Sequence, residues 1–220
     1  MKEKQEMYDI NNIQKCEESF KLSCSPHKDT QCVKTIKVSD IESFDVLCDN
    51  GWTVIQQRIN GSLDFGQNWD SYSEGFGRFD SDFFLGLKKI HWLTKKEPHE
   101  LYIYLESLNG TKTWAQYDNF EITDEYNGYR LINLGVFSEN GTSNALMFHE
   151  NQKFTTYDRD NDIMPGNCAK IYKGGWWYKN CMTINLNAEY VNNYGKNVIQ
   201  IYWDDQMLVK QEKMLIRPNL

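Results

Sequence analysis

The feature that most restricts how this chain can fold is the stretch 154–181, FTTYDRDNDIMPGNCAKIYKGGWWYKNC. It gathers alternating acids, a Pro-Gly turn, two cysteines and an aromatic cluster in one segment without a helical or strand period. Asp158, Asp160 and Asp162 alternate, so an irregular backbone can turn Asp160 and Asp162 toward one hard cation, while Pro165 and Gly166 shape the carbonyls that follow. Calcium takes about six to eight oxygens from carboxylates, carbonyls and water. Aspartates in such a run also cap turns with no metal present, so both readings stay open at this point. An EF-hand is excluded: counted from Asp158, the positions that would need Gly and Glu are Ile163 and Ala169.

Six cysteines and the sequons at Asn60, Asn109 and Asn140 point to an oxidising compartment and a secreted, extracellular glycoprotein. Spacing alone leaves the disulfide pairing open. With 24 basic and 31 acidic residues the formal charge is -7, which repels phosphate backbones and anionic membrane surfaces. Lys88-Lys89 and Lys95-Lys96 form too short a basic cluster to act as a nucleic-acid interface. No apolar run approaches the roughly 20 residues that span a bilayer, so neither nucleic acid nor membrane insertion is expected. The opening MKEKQE lacks the apolar core of a secretory signal, and the start shown is expected to be that of a mature chain.

Residues 1–20 are polar, with Met7, Ile10 and Ile13 at three-residue steps, and read as a leader or the end of a helical stalk. Strand signals begin near Val46. Trp52, Val54 and Gln56 alternate with Thr53, Ile55 and Gln57 ahead of the turn pair Asn60-Gly61. Leu101, Ile103 and Leu105 share one strand face, and Asn109-Gly110 predicts a hairpin leading into Trp114–Tyr117. Between them, Leu87, Ile90 and Leu93 recur at helical steps. After about Ser138 the pattern dissolves into Asn, Asp, Gly and aromatics, the composition of a loop-rich binding region. The fold class is α+β, with a central antiparallel sheet and short helices.

Several separate segments together resemble the fibrinogen-related domain, the globular carboxyl-terminal module of fibrinogen chains, ficolins, tachylectins, angiopoietins and tenascins. They are GWTVIQQRINGSLDF at 51–65, NWDSYSEGFG at 68–77, FFLGLKKIHWLT at 83–94, ELYIYLE at 100–106, FTTYDRDND at 154–162, GGWWYKNC at 174–181 and MLIRP at 214–218. Their order and number make a chance match improbable. The spelling of PHELYIYLE looks nearest to insect members, and the whole to the ficolin and tachylectin branch. The resemblance implies one domain over 21–220, divided at about residues 50 and 140 into an amino-terminal part, a central sheet and a carboxyl-terminal binding part.

The resemblance also implies the site residues. Cys24 pairs with Cys48 and Cys168 with Cys181; Cys16 and Cys32 are left to pair with each other or, for Cys16, with another chain. Ca2+ is bound by the carboxylates of Asp160 and Asp162 and the carbonyls of Met164 and Gly166. An acetyl group sits beside a non-proline cis peptide at Asn180-Cys181, against Tyr172, Met182 and the pair Tyr194-Gly195. A histidine is usual where Met182 stands, and a thioether replaces its bulk but not its N–H donor. Ile171-Tyr172 supplies no carboxylate for a peptide amino terminus, so knob-peptide binding is not expected. Trp176, Trp177, Tyr178 and Tyr190 read as packing residues. His27, His91, His99 and His149 are dispersed, no catalytic motif occurs, and no enzyme activity is expected. The expectation is a secreted calcium-binding lectin-like domain for acetylated carbohydrate, acting in innate immune recognition. The alternative is an extracellular signalling or adhesion module that binds a cell-surface protein receptor. Self-association into a homo-oligomer is compatible with either.

Overall fold

Alternation in the segment Leu101–Leu105 lays out the molecule: Leu101, Ile103 and Leu105 are buried under the sheet, while Tyr102 and Tyr104 face outward and are half-buried. The structure, a computed structural model, describes residues 13–16, 23–25, 30–37, 42–190, 201–204 and 207–219. In chain order, β1 (Gln31–Lys37), β2 (Ser43–Asp49) and β3 (Trp52–Arg58) form an antiparallel meander. Helix α1 (Trp69–Glu74), the short pair β4 (Phe76–Gly77) and β5 (Phe83–Phe84), and helix α2 (Leu87–Lys96) follow. The hairpin of β6 (His99–Ser107) and β7 (Lys112–Ile122) turns at Asn109-Gly110, and β8 (Leu131–Asn133) and β9 (Phe137–Asn140) pair with β7. A 3-10 turn (Ala145–His149), α3 (Cys168–Tyr172), β10 (Ile184–Asn185) and β11 (Tyr202–Trp203) lead to β12 (Met207–Pro218).

The main sheet has the order β1-β2-β3-β12-β6-β7-β8. The chain is therefore an α+β fold with a central antiparallel sheet and short helices. Helix α2 buries Leu87, Ile90, Leu93 and Thr94, the face set by the helical repeat, and His91 Nδ1 reaches the Ile122 carbonyl of β7 at 2.8 Å. Its start requires glycine: Gly86 has φ +113°, and a Cβ there would stand 2.6 Å from the Glu74 carbonyl oxygen.

Strand β12 is the element that the sequence pattern hides. Met214, Leu215 and Ile216 are buried in succession, Met214 and Ile216 in the core and Leu215 on the opposite face beside Trp52 and Tyr102, so no polar-apolar alternation marks the strand. The register slips at Met214/Leu215 against β3 and at Val209/Gln211 against β6. Residues 141–190 carry few regular elements, as their composition predicts. Of the leader, residues 13–16 are described; Lys15 bridges Val33 in parallel, and Cys16 is disulfide-bonded to Cys32. Residues 1–12 and 17–20 lie outside the described residues.

Candidate functional site

The loop 154–181 is built outward from its aromatic core. Thr155 and Trp176 exchange backbone hydrogen bonds at 2.9 and 3.1 Å, closing the base of the loop. Trp176, Trp177 and Tyr178 are fully buried: the Trp177 indole donates to the Tyr129 carbonyl at 2.7 Å, and the Tyr178 hydroxyl to the Gly174 carbonyl at 2.9 Å. His149 lies below them, its Nδ1 2.8 Å from the Trp177 carbonyl, and burial lowers its pKa to about 4. Asn167 caps α3 by accepting from the Lys170 amide at 2.9 Å, while its Nδ2 donates to the Thr156 carbonyl at 2.9 Å. Gly174 has φ +154°, and a Cβ there would meet the Asn187 carbonyl oxygen at 2.1 Å. Three disulfides are present, Cys16–Cys32, Cys24–Cys48 and Cys168–Cys181, the last closing this loop with the Met164 sulfur 3.7 Å from Cys168 Sγ.

Asp160 is exposed and Asp162 half-buried on this frame. Asp162 accepts from the Met164 amide at 3.0 Å through Oδ1 and from the Cys168 amide at 2.9 Å through Oδ2. Burial, and to a lesser extent neighbouring Asp160, push the Asp162 carboxyl above its ordinary value, and the two backbone N–H groups oppose that shift. Asp158 belongs elsewhere, accepting from Thr156 Oγ1 at 2.7 Å and from the Trp69 amide at 3.0 Å. The remaining donors, two carboxylates with the carbonyls of Met164 and Gly166, are all oxygen. That chemistry fits calcium. Among the described residues there is no group of three or more His, Cys, Asp or Glu that could hold a metal, and the expected set contains only two such side chains.

Of the residues expected around an acetyl group, Tyr172 ends α3 and is half-buried, with its carbonyl accepting from Asn185 Nδ2 at 3.2 Å. Cys181 and Met182 are half-buried against the core, Asn180 is exposed, and the Asn180–Cys181 peptide is cis. Tyr194 and Gly195 lie outside the described residues. Exposed Tyr157, Ile163 and Ile171 surround the same loop.

Sequence reading missed the polar cluster beneath the sheet. Arg58, wholly buried, donates through Nη1 to the carbonyls of Leu186 and Ala188 at 3.1 and 3.0 Å, and its Nε lies 3.7 Å from Asp82 Oδ2. Gln56 Nε2 donates to Glu212 Oε1 at 2.9 Å, and Asp82 Oδ1 accepts from the amides of Ile59 and Asn60 at 2.7 and 3.0 Å. Burial lowers the Arg58 pKa against the partial opposition of Glu212 and Asp82, and burial pushes Glu212 up to about 8. The cluster ties residues 186–188 to β3 and β12, under the loop that carries the site. Its signal in sequence is a charge at an inward position of a strand, legible only once β12 is recognised.

The family model described as fibrinogen beta and gamma chains, C-terminal globular domain, matches residues 12–219. Human angiopoietin-related protein 2 is 37% identical over 207 residues, covering 87% of this chain and 41% of the relative. Human fibrinogen C domain-containing protein 1 is 39% identical over 191 residues, covering 80% of this chain and 41% of the relative. The solved fibrinogen-like globe domain of human ANGPTL2 superposes with a TM-score of 0.85 at 35% identity, covering 90% of this chain and 99% of that one. The chain spans about two fifths of the length of the curated relatives it matches. These findings correct two expectations. The affinity to ficolins, tachylectins and insect members gives way to angiopoietin-related relatives. The calcium-dependent lectin for acetylated carbohydrate, with its innate-immune role, is overturned by the same relatives and draws no support from a metal cluster among the described residues. Physically, the expected pocket has a thioether at Met182 where an N–H donor would be needed. What stands is the family: the matched span and the shared globe place this chain among the fibrinogen C-terminal globular domains.

Proposed function

We propose that this chain is an extracellular signalling or adhesion module that binds a cell-surface protein receptor. Membership of the family makes it a non-catalytic binding domain, not an enzyme. No helix among the described residues is long and apolar enough to cross a membrane. The observation that carries the reading is the likeness to angiopoietin-related proteins across most of the chain. The loop geometry supports it: Ile163 and Ile171 stand 66% and 45% exposed on a disulfide-closed frame, an apolar surface suited to a protein partner. The proposal includes the division near residues 50 and 140, with the carboxyl-terminal part as the binding part. It also includes secretion and glycans at Asn60, Asn109 and Asn140, all of which are exposed. Calcium enters it only as support for the loop, through Asp160 and Asp162.

The test is binding of labelled protein to receptor-bearing cells. Saturable binding should disappear after mild protease treatment of the cells and persist in excess N-acetylglucosamine. Ile163→Glu with Ile171→Glu should weaken it about tenfold or more, as expected when buried apolar contacts become charged. Binding that survives protease treatment would overturn the receptor reading.

A further inference from the structure

We propose that the outer face of the central sheet binds an extended acidic peptide, with carboxylates four residues apart and an apolar side chain midway between them. Period two along β12 puts Lys213, Leu215 and Arg217 on the outer face, opposite inward Glu212, Met214 and Ile216. Register with β6 sets Lys213 beside Tyr104 and Leu215 beside Tyr102. Trp52 closes the other side, its ring 5.6 Å from that of Tyr102, which stacks in turn on Trp114 at 5.7 Å. Trp52, Tyr102, Tyr104, Lys213 and Arg217 line a cleft of about 430 Å³ with Leu215 as its floor.

The charges around this cleft are layered. In the pair Lys213–Asp49, at 2.7 Å, the lysine side chain is 26% exposed and the acid 17%. In Arg217–Glu100 the values are 36% and 11%, and in Lys210–Glu106 they are 47% and 15%. In each pair the acid lies against the sheet and the cation faces water. Arg217 spends Nε and Nη2 on Glu100 and lies over the Trp52 ring at 4.2 Å, while its Nη1 donates to no described residue. Among the described residues Lys213 makes one hydrogen bond, to Asp49, for three N–H groups. A chain of formal charge -7 thus presents a row of outward cations flanking an apolar, aromatic floor.

Spacing decides the ligand. At about 3.3 Å per residue, Lys213 and Arg217 stand about 13 Å apart along β12. A peptide in the same extended form carries side chains of one face at that spacing every fourth residue, with one side chain midway to meet Leu215, Trp52 and Tyr102. Arg217 suits a carboxylate through the N–H groups of Nη1, and Lys213 as a point charge. The surface is separate from the loop 154–181, so the inference goes beyond the receptor reading and names a second contact.

The test uses the full chain and the synthetic peptide Ser-Glu-Thr-Leu-Thr-Glu-Ser, followed by NMR of the Trp52 and Trp114 indole resonances. Both resonances should shift on titration. Lys213→Gln and Arg217→Gln should each weaken binding about threefold to fivefold, the range of an exposed charge pair. On the unaltered protein, moving the second glutamate onto the leucine position should weaken binding by more than either Gln variant does, and replacing both glutamates by lysine should abolish the shifts, a comparison that does not depend on any variant folding. No shift at millimolar peptide, equal binding of the lysine peptide, or folded Gln variants that bind like the parent would overturn the proposal. The assay contains no receptor, so its failure leaves the receptor reading standing.

Discussion

At the scale of single residues, two positions bear most on the loop. Asp162 is held half-buried with both carboxylate oxygens on backbone amides, beside Asp160, and these two acids are the side chains through which the loop would hold a divalent cation. Calorimetry on metal-free protein should detect one calcium, and Asp160→Asn with Asp162→Asn should weaken it about tenfold or more. Chelation should lower the melting temperature of the parent and leave the double variant unmoved. Equal affinity in the two proteins would remove the acid pair from the site. Gly174 is the second position: Gly174→Ala would force a Cβ into the Asn187 carbonyl at a backbone angle that side chains avoid. A loss of about 1–3 kcal/mol in denaturant unfolding is expected, and unchanged stability would show that this close approach is not maintained.

At the scale of elements, β12 joins the two halves of the sheet and carries Glu212 into the space shared with Gln56, Arg58 and Asp82. The sign of its pH effect follows from the shift. Glu212 moves from an ordinary 4.5 up to about 8 in the fold, so the folded chain holds a proton that the unfolded chain releases. Its favourable contribution is complete below about pH 4.5 and is lost as pH rises through about 8. Glu212→Gln keeps the shape and the hydrogen-bonding capacity and has no proton to lose. Thermal unfolding at pH 5, 6.5 and 8, values chosen at about the two ends and middle of that window, should show the Gln variant gaining on the parent as pH rises. Parallel curves would mean that Glu212 titrates as an exposed acid does.

At the scale of the whole molecule, the chain offers two surfaces of different chemistry: apolar side chains around a disulfide-closed loop, and outward cations over an aromatic floor on the sheet. Both rest on buried polar groups that respond oppositely to pH. His149, with its pKa lowered by burial from 6.5 to about 4, contributes stability that is present above pH 6.5 and lost as pH falls through about 4. Glu212 works in the other direction. The frame under the loop is thus weakened from the acid side by His149 and from the alkaline side by Glu212.

Local pattern was enough to fix much of this protein. The strand at β3, the alternation in β6, the Asn109-Gly110 hairpin, the helical step of Leu87, Ile90 and Leu93, and the burial of Trp176 and Trp177 were all legible from short segments, whereas the two-faced alternation expected of β3 is absent, since Thr53 to Arg58 are all buried. The ordered motifs also identified the family, whereas its branch was misread. Tertiary structure alone decided the rest. Gln56 and Glu212 meet across 156 residues of chain, and Lys213 pairs with Asp49 across 164. No local period reports such a meeting, because it is set by where β12 enters the sheet. That insertion determines which charges are buried together, which cations face water, and which strand faces form the cleft.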